Sequence, residues 1–148
     1  MAPFEPDPRQ LEVLDHGDGV IRLHLARDLR KWANRAEREP WLRENIDRVI
    51  PVLADQGTIF VDARAHKTIW DGAVVARGHG ATVVRFAHHD PEALEELLRR
   101  HPKGPRLVCM DGVNSMTGNP PDLPAFAALA REHDALLYLD DAHGFGVV

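Results

Sequence analysis

"RLVCMDGVNSMTGNPPDLPAFAALAREHDALLYLDDAH", residues 106–143, is the stretch whose reading decides the fold. It opens with an apolar run, RLVCM (106–110), that stops at Asp111 and a glycine. A helix-length segment follows, DLPAFAALAREH (122–133), with Leu123, Phe126, Leu129 and Ala130 on one face. A second apolar run, ALLYL (135–139), stops at another carboxylate, Asp140. Strand, crossover helix and strand make the unit of a parallel sheet. Strands that are apolar on every residue need cover on both faces.

The same rhythm extends upstream. TIFVD (58–62) and TVVRF (82–86) read as strands, and IWDGAVVARG (69–78) between them as a short helix or a turn-rich crossover. DPEALEELLRRH (90–101) carries Asp90 as N-cap, Pro91 at the first helical position, acids early and bases late. Each of those suits the dipole and the unpaired amides of a helix. The pattern predicts an α/β fold: a mostly parallel sheet with helices on both faces.

Towards the amino terminus the pattern loosens. Residues 1–10 hold three prolines and read as an arm. VLDHGDGVIRLHL (13–25) has a Gly-Asp-Gly turn signal followed by a weakly strand-like alternation. Leu25 to Glu39 places Leu25, Leu29, Trp32, Ala33 and Ala36 on one helical face, and Pro40 interrupts it. A second helix puts Leu42, Ile46, Val49, Ile50 and Leu53 on one stripe, with Pro51 expected to kink or shorten it and Gly57 to end it. The expected organisation is an arm with helices of no assigned role over 1–45, and one domain over 46–148.

Bulk properties narrow the class. The chain has 148 residues, 44% hydrophobic and 28% charged, as suits a soluble single domain. A net charge of −5 argues against nucleic acid as a partner, because phosphate binding needs a cationic surface. The single cysteine, Cys109, excludes an internal disulfide. MAPFEPDPRQ lacks the cationic start and apolar run of a signal peptide, and no apolar stretch approaches membrane-spanning length. A cytoplasmic location, with no membrane partner, is the expectation.

Three strand ends carry polar groups: Asp62 to His66, Asp111 to Ser115, and Asp140 to His143. In open α/β sheets ligands gather beyond the carboxyl ends of the strands. A carboxylate rigidly aimed from the end of a strand, such as Asp140, would hold a protonated ring nitrogen. His143 could reach the same ligand, with Gly144 and Gly146 allowing close backbone approach. Simple capping of the strand and its loop accounts for the same residues equally well. A third reading, a metal-dependent hydrolase using Asp140, Asp141 and His143, would require loss of activity with chelators. His88-His89-Asp90 is a poor ligand set, since adjacent residues rarely face one ion and Asp90 is explained as a cap; no metal is expected.

LLYLDDAHGFGVV (136–148) resembles the DDAH-x-x-G segment of pyridoxal-phosphate-dependent transferases of the aspartate-aminotransferase fold type, above all the α-oxoamine synthases. FVDARAHKTIWDG (60–72) and DGVNSMTGNPPDLPAFAALAREH (111–133) agree with the same family in the same order. The resemblance covers residues 46–148 and implies part of the large, cofactor-binding domain. It further implies pyridoxal 5'-phosphate as cofactor, and a decarboxylative condensation of an amino acid with an acyl thioester. Asp140 would pair with the pyridinium nitrogen and His143 would hydrogen-bond the phenolic oxygen. His66 would stack on the ring, and Ser115 would also reach the cofactor. Taken singly, His66 and Ser115 suit surface or capping roles as well.

The sequence departs from the family in three places. The lysine that forms the imine with the cofactor has no counterpart among Lys31, Lys67 and Lys103, and Lys67 matches a solvated, non-catalytic position. The segment REPWLREN (38–45) has no glycine where the family has its phosphate-binding turn. Thr117 and Asn119 stand where acids are usual. These departures suggest a truncated or split enzyme, completed by another polypeptide; the alternative is a non-catalytic remnant or an interaction partner of a full-length homologue. An uncovered sheet edge beside LLYL further predicts self-association, a homo-oligomer.

Overall fold

A computed structural model describes residues 11–15, 20–25 and 49–146. The helix expected over Leu25 to Glu39, the start of the next helix, the REPWLREN segment and Lys31 lie outside the described residues. Six strands form one sheet: β1 (Leu11–Asp15), β2 (Val20–Leu25), β3 (Thr58–Asp62), β4 (Thr82–Phe86), β5 (Arg106–Asp111) and β6 (Leu136–Asp140). Three helices connect the last four: α1 (Lys67–Gly78), α2 (Pro91–Arg100) and α3 (Leu123–Glu132). The order across the sheet is β1-β2-β6-β5-β3-β4.

β3, β4, β5 and β6 are all parallel, and their register aligns their carboxyl ends. Alternate residues feed two apolar layers. Ile59, Val61, Leu107, Cys109 and Tyr138 face one layer with Ile50, Ala54, Ile69, Ala73 and Ala76. Phe60, Val108, Met110 and Leu137 face the other with Leu94, Leu98, Phe126 and Ala130. Thus α1 and residues 49–54 cover one face, and α2 and α3 the other. Each fully buried leucine such as Leu94 or Leu98 contributes about 1.5–3 kcal/mol. β3 and β5 are packed on both faces along nearly their whole length, whereas β4, at the edge of the sheet, leaves Thr82 and Arg85 exposed.

Capping follows the expected chemistry. Asp90 accepts the Ala93 N–H at 2.9 Å with Pro91 opening α2, and Asp122 accepts the Ala125 N–H at 3.2 Å with Pro124 in the first turn of α3. The segment expected as a short helix or a turn-rich crossover is a regular helix, α1, that starts two residues earlier than IWDG suggested. Residues 49–54 run helically through Pro51 without a break. The chain then turns at Asp55 and Gln56, whose φ values are 37° and 61°. Gly57 follows because nothing larger fits: a Cβ there would lie 1.9 Å from the Pro105 carbonyl oxygen.

Two aspects differ from the sequence reading. LEVLD (11–15) is a strand, and it closes an antiparallel hairpin with the VIRLHL strand across the Gly-Asp-Gly signal. That hairpin lies beside β6, with Val20 and Ile21 paired in parallel to Leu137 and Tyr138. The edge next to LLYL is therefore covered along part of its length, and the uncovered-edge argument for self-association does not hold there. Among the described residues, no helix is long and apolar enough to cross a membrane.

The chain steps outward from β3 to β4 through α1, then returns across the sheet through α2 to β5 and continues to β6. The direction of winding reverses between the neighbours β3 and β5. Carboxyl ends at such a reversal open a crevice, because the loops above it lead away in opposite directions.

Candidate functional site at the carboxyl ends of the strands

β3, β5 and β6 each end in an aspartate, and the three are committed to very different degrees. Asp62 is buried and saturated. Its Oδ1 accepts the Arg64 N–H at 2.7 Å and lies 2.8 Å from His88 Nδ1, and its Oδ2 accepts the His89 N–H at 2.9 Å. Asp111 is also buried, and its Oδ1 accepts the His66 N–H at 2.9 Å across 45 residues of sequence. Its Oδ2 accepts from Asn114 Nδ2 at 3.2 Å, and the Ser115 backbone N–H lies near enough to favour the ionised carboxylate. Asp140 is half-buried, and its Oδ1 accepts the Ala142 N–H at 3.2 Å. Among the described residues that is its one side-chain hydrogen bond.

Asp111 and Asp140 are register partners on neighbouring strands. Burial pushes the Asp111 carboxyl above its ordinary pKa and the nearby Asp140 charge adds to this, while the His66 and Ser115 amides and the His66 ring pull it back. Burial likewise pushes the Tyr138 phenol up, with Asp140 reinforcing it. The end of β5–β6 is thus a partly desolvated anionic spot, suited to a cation.

His66 sits at the mouth of this spot as the N-cap of α1, with its ring exposed and its Nδ1 2.8 Å from Thr68 Oγ1. One ring nitrogen and the backbone N–H are therefore held, and the ring faces stay open. Ser115 lies half-buried in the loop after β5. His143 is exposed in the turn after β6, where the Gly144 and Phe145 N–H groups donate to the Asp141 carbonyl at 3.3 and 3.1 Å. Asp111 thus brings His66, Ser115 and Asp140 to one place; for His143 the structure gives the adjacent turn and no bond to the other three. Lys67 is exposed and pairs with Asp71 one turn along α1.

Asp141 fills the gap between the last two loops. A Cβ at Gly112 would stand 2.4 Å from Asp141 Oδ1, and one at Gly144 2.3 Å from the same atom. A side chain at either glycine would make the exposed Asp141 carboxylate turn aside, and at Gly144 would also press on Val113 Cγ2 at 3.0 Å.

Sequence reasoning missed the residues that knit the loops together. Asn114 is buried and spends its whole amide: Nδ2 donates to the Arg64 carbonyl at 2.9 Å as well as to Asp111. Its Oδ1 accepts the Met116 and Thr117 N–H groups at 3.1 Å and the Thr117 hydroxyl at 3.0 Å. An asparagine followed by Ser-Met-Thr-Gly is a turn-forming signal, so this part was discoverable. The single Thr117 hydroxyl proton is shared between Asn114 Oδ1 and Asn119 Oδ1, and Asn119 Nδ2 lies 3.3 Å from His89 Nδ1. The two positions where acids are usual in the family are thus satisfied by neutral partners.

His88 and His89 do approach one carboxylate, and it is Asp62 rather than Asp90. Their possible ligand atoms and that of Asp62 lie within 4.8 Å of one another. However, the rings stack at 3.7 Å and 30°, so their in-plane lone pairs run side by side instead of converging. Asp62 is already bonded to His88 and to the His89 backbone. Burial, then His88, lowers the His89 pKa, against the opposing pull of Asp62 and Asp111. The cluster acts as a hydrogen-bonded clasp between the loops after β3 and β4.

The family model described as "Aminotransferase class I and II" matches residues 43–148. The chain belongs to that family. Over 101 residues it is 46% identical to 8-amino-7-oxononanoate synthase 1 of Polaromonas sp., covering 68% of this chain and 24% of that protein. It is also 46% identical over 102 residues to the 8-amino-7-oxononanoate synthase of Geobacter metallireducens, at 68% and 25% coverage. Among solved structures, the chain is similar to a serine palmitoyltransferase from S. paucimobilis carrying a PLP–myriocin aldimine. The TM-score is 0.62, with 32% identity over 69% of this chain and 26% of that one. The serine palmitoyltransferase of Sphingomonas wittichii gives a TM-score of 0.59 at 30% identity, covering 67% and 25%. These names bear out the α-oxoamine synthase resemblance read from the three strand-end motifs. The chain spans about a quarter of the length of the relatives it matches.

Proposed function

We propose that this chain supplies the ring-binding face of a pyridoxal-phosphate-dependent acyltransferase of the α-oxoamine synthase type, joining an amino acid to an acyl thioester with loss of carbon dioxide. The observation that carries the proposal is the unequal commitment of the strand-end carboxylates. Asp140 keeps hydrogen-bonding capacity in an anionic, half-desolvated spot, beside an exposed imidazole whose backbone is fixed.

Those residues fit the cofactor. Asp140 would hold the proton on the pyridine nitrogen, because a carboxylate opposite a pyridinium favours the charged form of both. His66 would lie against one ring face, its orientation limited by Thr68. Ser115 and His143 would donate to, or accept from, the ring's phenolic oxygen side. When bound, the cofactor supplies the electron-withdrawing ring that such chemistry needs. Imine formation needs a lysine, and Lys67, exposed and paired with Asp71, is not placed for it. Catalysis is accordingly a property of a protein of the relatives' full length, and this segment's share is to bind and orient the ring.

The test is a spectroscopic titration of the full chain with pyridoxal 5'-phosphate and with its 1-deaza analogue, whose ring carries CH in place of the nitrogen. The chain should prefer the natural cofactor by about tenfold or more, the value of one charge-assisted bond. Asp140→Asn should lose the preference. Equal binding of both compounds to the unaltered chain would overturn the assignment.

A further inference from the structure

We propose that Asp111 and Asn114 are a positioning pair that sets the spacing between the cofactor's two side walls, the His66 loop and the Ser115 loop, at the end of β5. The inference rests on the cofactor reading of His66 and Ser115. It assigns a role to two buried residues that never meet the ring themselves.

The geometry has one centre. The Asp111 carboxylate accepts the backbone N–H of His66 from the loop after β3 and the side-chain N–H of Asn114 from the loop after β5, with the Ser115 amide near it. Asn114 closes the arrangement from the other side. It donates to the carbonyl of Arg64, two residues before His66, and to Asp111, while its oxygen gathers the N–H groups of the two residues after Ser115. Both loops are therefore measured from one side chain rather than from each other. Asp111 is in turn the register partner of Asp140, so the same strand pair fixes the distance to the carboxylate that would meet the ring nitrogen.

Stability alone does not call for this choice. A carboxylate buried next to another carboxylate is disfavoured by desolvation and by repulsion, and a neutral amide would fill the same volume. What the charge adds is strength and direction in bonds to the His66 backbone and the Asn114 amide, one from each loop, since bonds to an ionised acceptor are about twice as strong as neutral ones. Fixed walls matter because displacement of a reacting or binding group by about 1 Å costs up to roughly a hundredfold.

The experiment compares the full chain with Asp111→Asn, Asp111→Glu and Asn114→Asp by cofactor titration and by amide hydrogen exchange. In Asp111→Asn, an N–H replaces one acceptor and faces the donors of Asn114 and Ser115. The proposal expects cofactor binding weakened at least tenfold, and exchange at the His66 and Ser115 amides accelerated at least tenfold. The Ala63 amide, bonded to Phe86 on the adjacent strand, should stay unchanged. Asp111→Glu keeps the charge and should recover part of both losses; Asn114→Asp sets a carboxylate against Asp111 and the Arg64 carbonyl and should reproduce the Asn defect. Binding and exchange within twofold of the unaltered chain in Asp111→Asn would overturn the pair.

Failure of the unaltered chain to bind the cofactor would sink the ring-binding reading and leave the pair to be judged on exchange alone. Should the variants not fold, the unaltered chain decides the question. The His66 and Ser115 amide shifts must then follow one shared carboxylate titration, and separate midpoints would overturn the proposal.

Discussion

Asp62 and Asp140 occupy the same place in two parallel strands, the last residue before the loop, yet they have opposite fates. Asp62 is buried and carries three bonds, to Arg64, His88 and His89, and so ties two loops to the sheet. Asp140 is half-buried and carries one, to the residue two positions on. A carboxylate surrounded by donors has no capacity left for a ligand. The lesson is that strand-end acids in this fold divide into those that build the crevice and those that face into it, and that bond count separates them better than sequence position does.

The sharpest attempt to break that division is a pair of alanine variants followed by urea unfolding. Asp62→Ala strands the half-buried His88 ring and two amides, and should cost about 3 kcal/mol. Asp140→Ala should cost less than about 1 kcal/mol while removing the preference for a ring nitrogen. Equal losses of stability would erase the distinction. A smaller effect is expected one loop away. Gly112→Ala and Gly144→Ala each set a methyl group against the exposed Asp141 carboxylate, which can turn aside, so each should cost no more than about 1 kcal/mol. Adding Asp141→Ala should relieve both, and a double-mutant cycle with no coupling would show that the methyl groups do not meet that carboxylate.

Asp111 stands between the two extremes, and pH reads its position. Its folded-state pKa is raised, chiefly by burial, so the folded chain holds this proton more tightly than the unfolded one. Its stabilising contribution is present below the ordinary carboxylate pKa and lost as pH rises through the raised value. The melting-temperature difference between the unaltered chain and Asp111→Asn should therefore move in favour of the asparagine variant as pH is raised from acid to neutral. A gap that is flat with pH would contradict the burial argument. At the bottom of the scale, Arg99→Ala on the outer face of α2 removes an exposed pair with Glu95 and should cost no more than about 0.5 kcal/mol.

The sheet was legible in the sequence for a simple reason. TIFVD and RLVCM are apolar at successive positions, and only a strand covered on both faces tolerates that. Asp90 with Pro91 marked the start of α2 in the same direct way. The hairpin's docking on β6 was not legible, because two paired registers leave no pattern that distinguishes β6 from any other strand as its neighbour. Likewise Asp111 could be seen as a polar strand end, but not as the acceptor for His66, a partner 45 residues away. His88 and His89 illustrate the converse: their adjacency was noticed, while the carboxylate they share with the sheet lies 26 residues upstream of the first. Local rules report elements and caps; side-chain partnerships across loops belong to tertiary structure.

The hairpin beside β6 bears on how the molecule assembles. β2 meets β6 across more than a hundred residues of chain, whereas β3 to β6 pair over shorter spans. Closing so long a loop for two paired registers is entropically the least rewarded step. Zipping of that seam should come last on folding and come apart first under denaturant, so whichever of the Leu137 and Tyr138 amides faces β2 should exchange before those of β5. The strand that ends in Asp140 would then be the final one to acquire its second neighbour, leaving that carboxylate's corner as the late-maturing part of the fold.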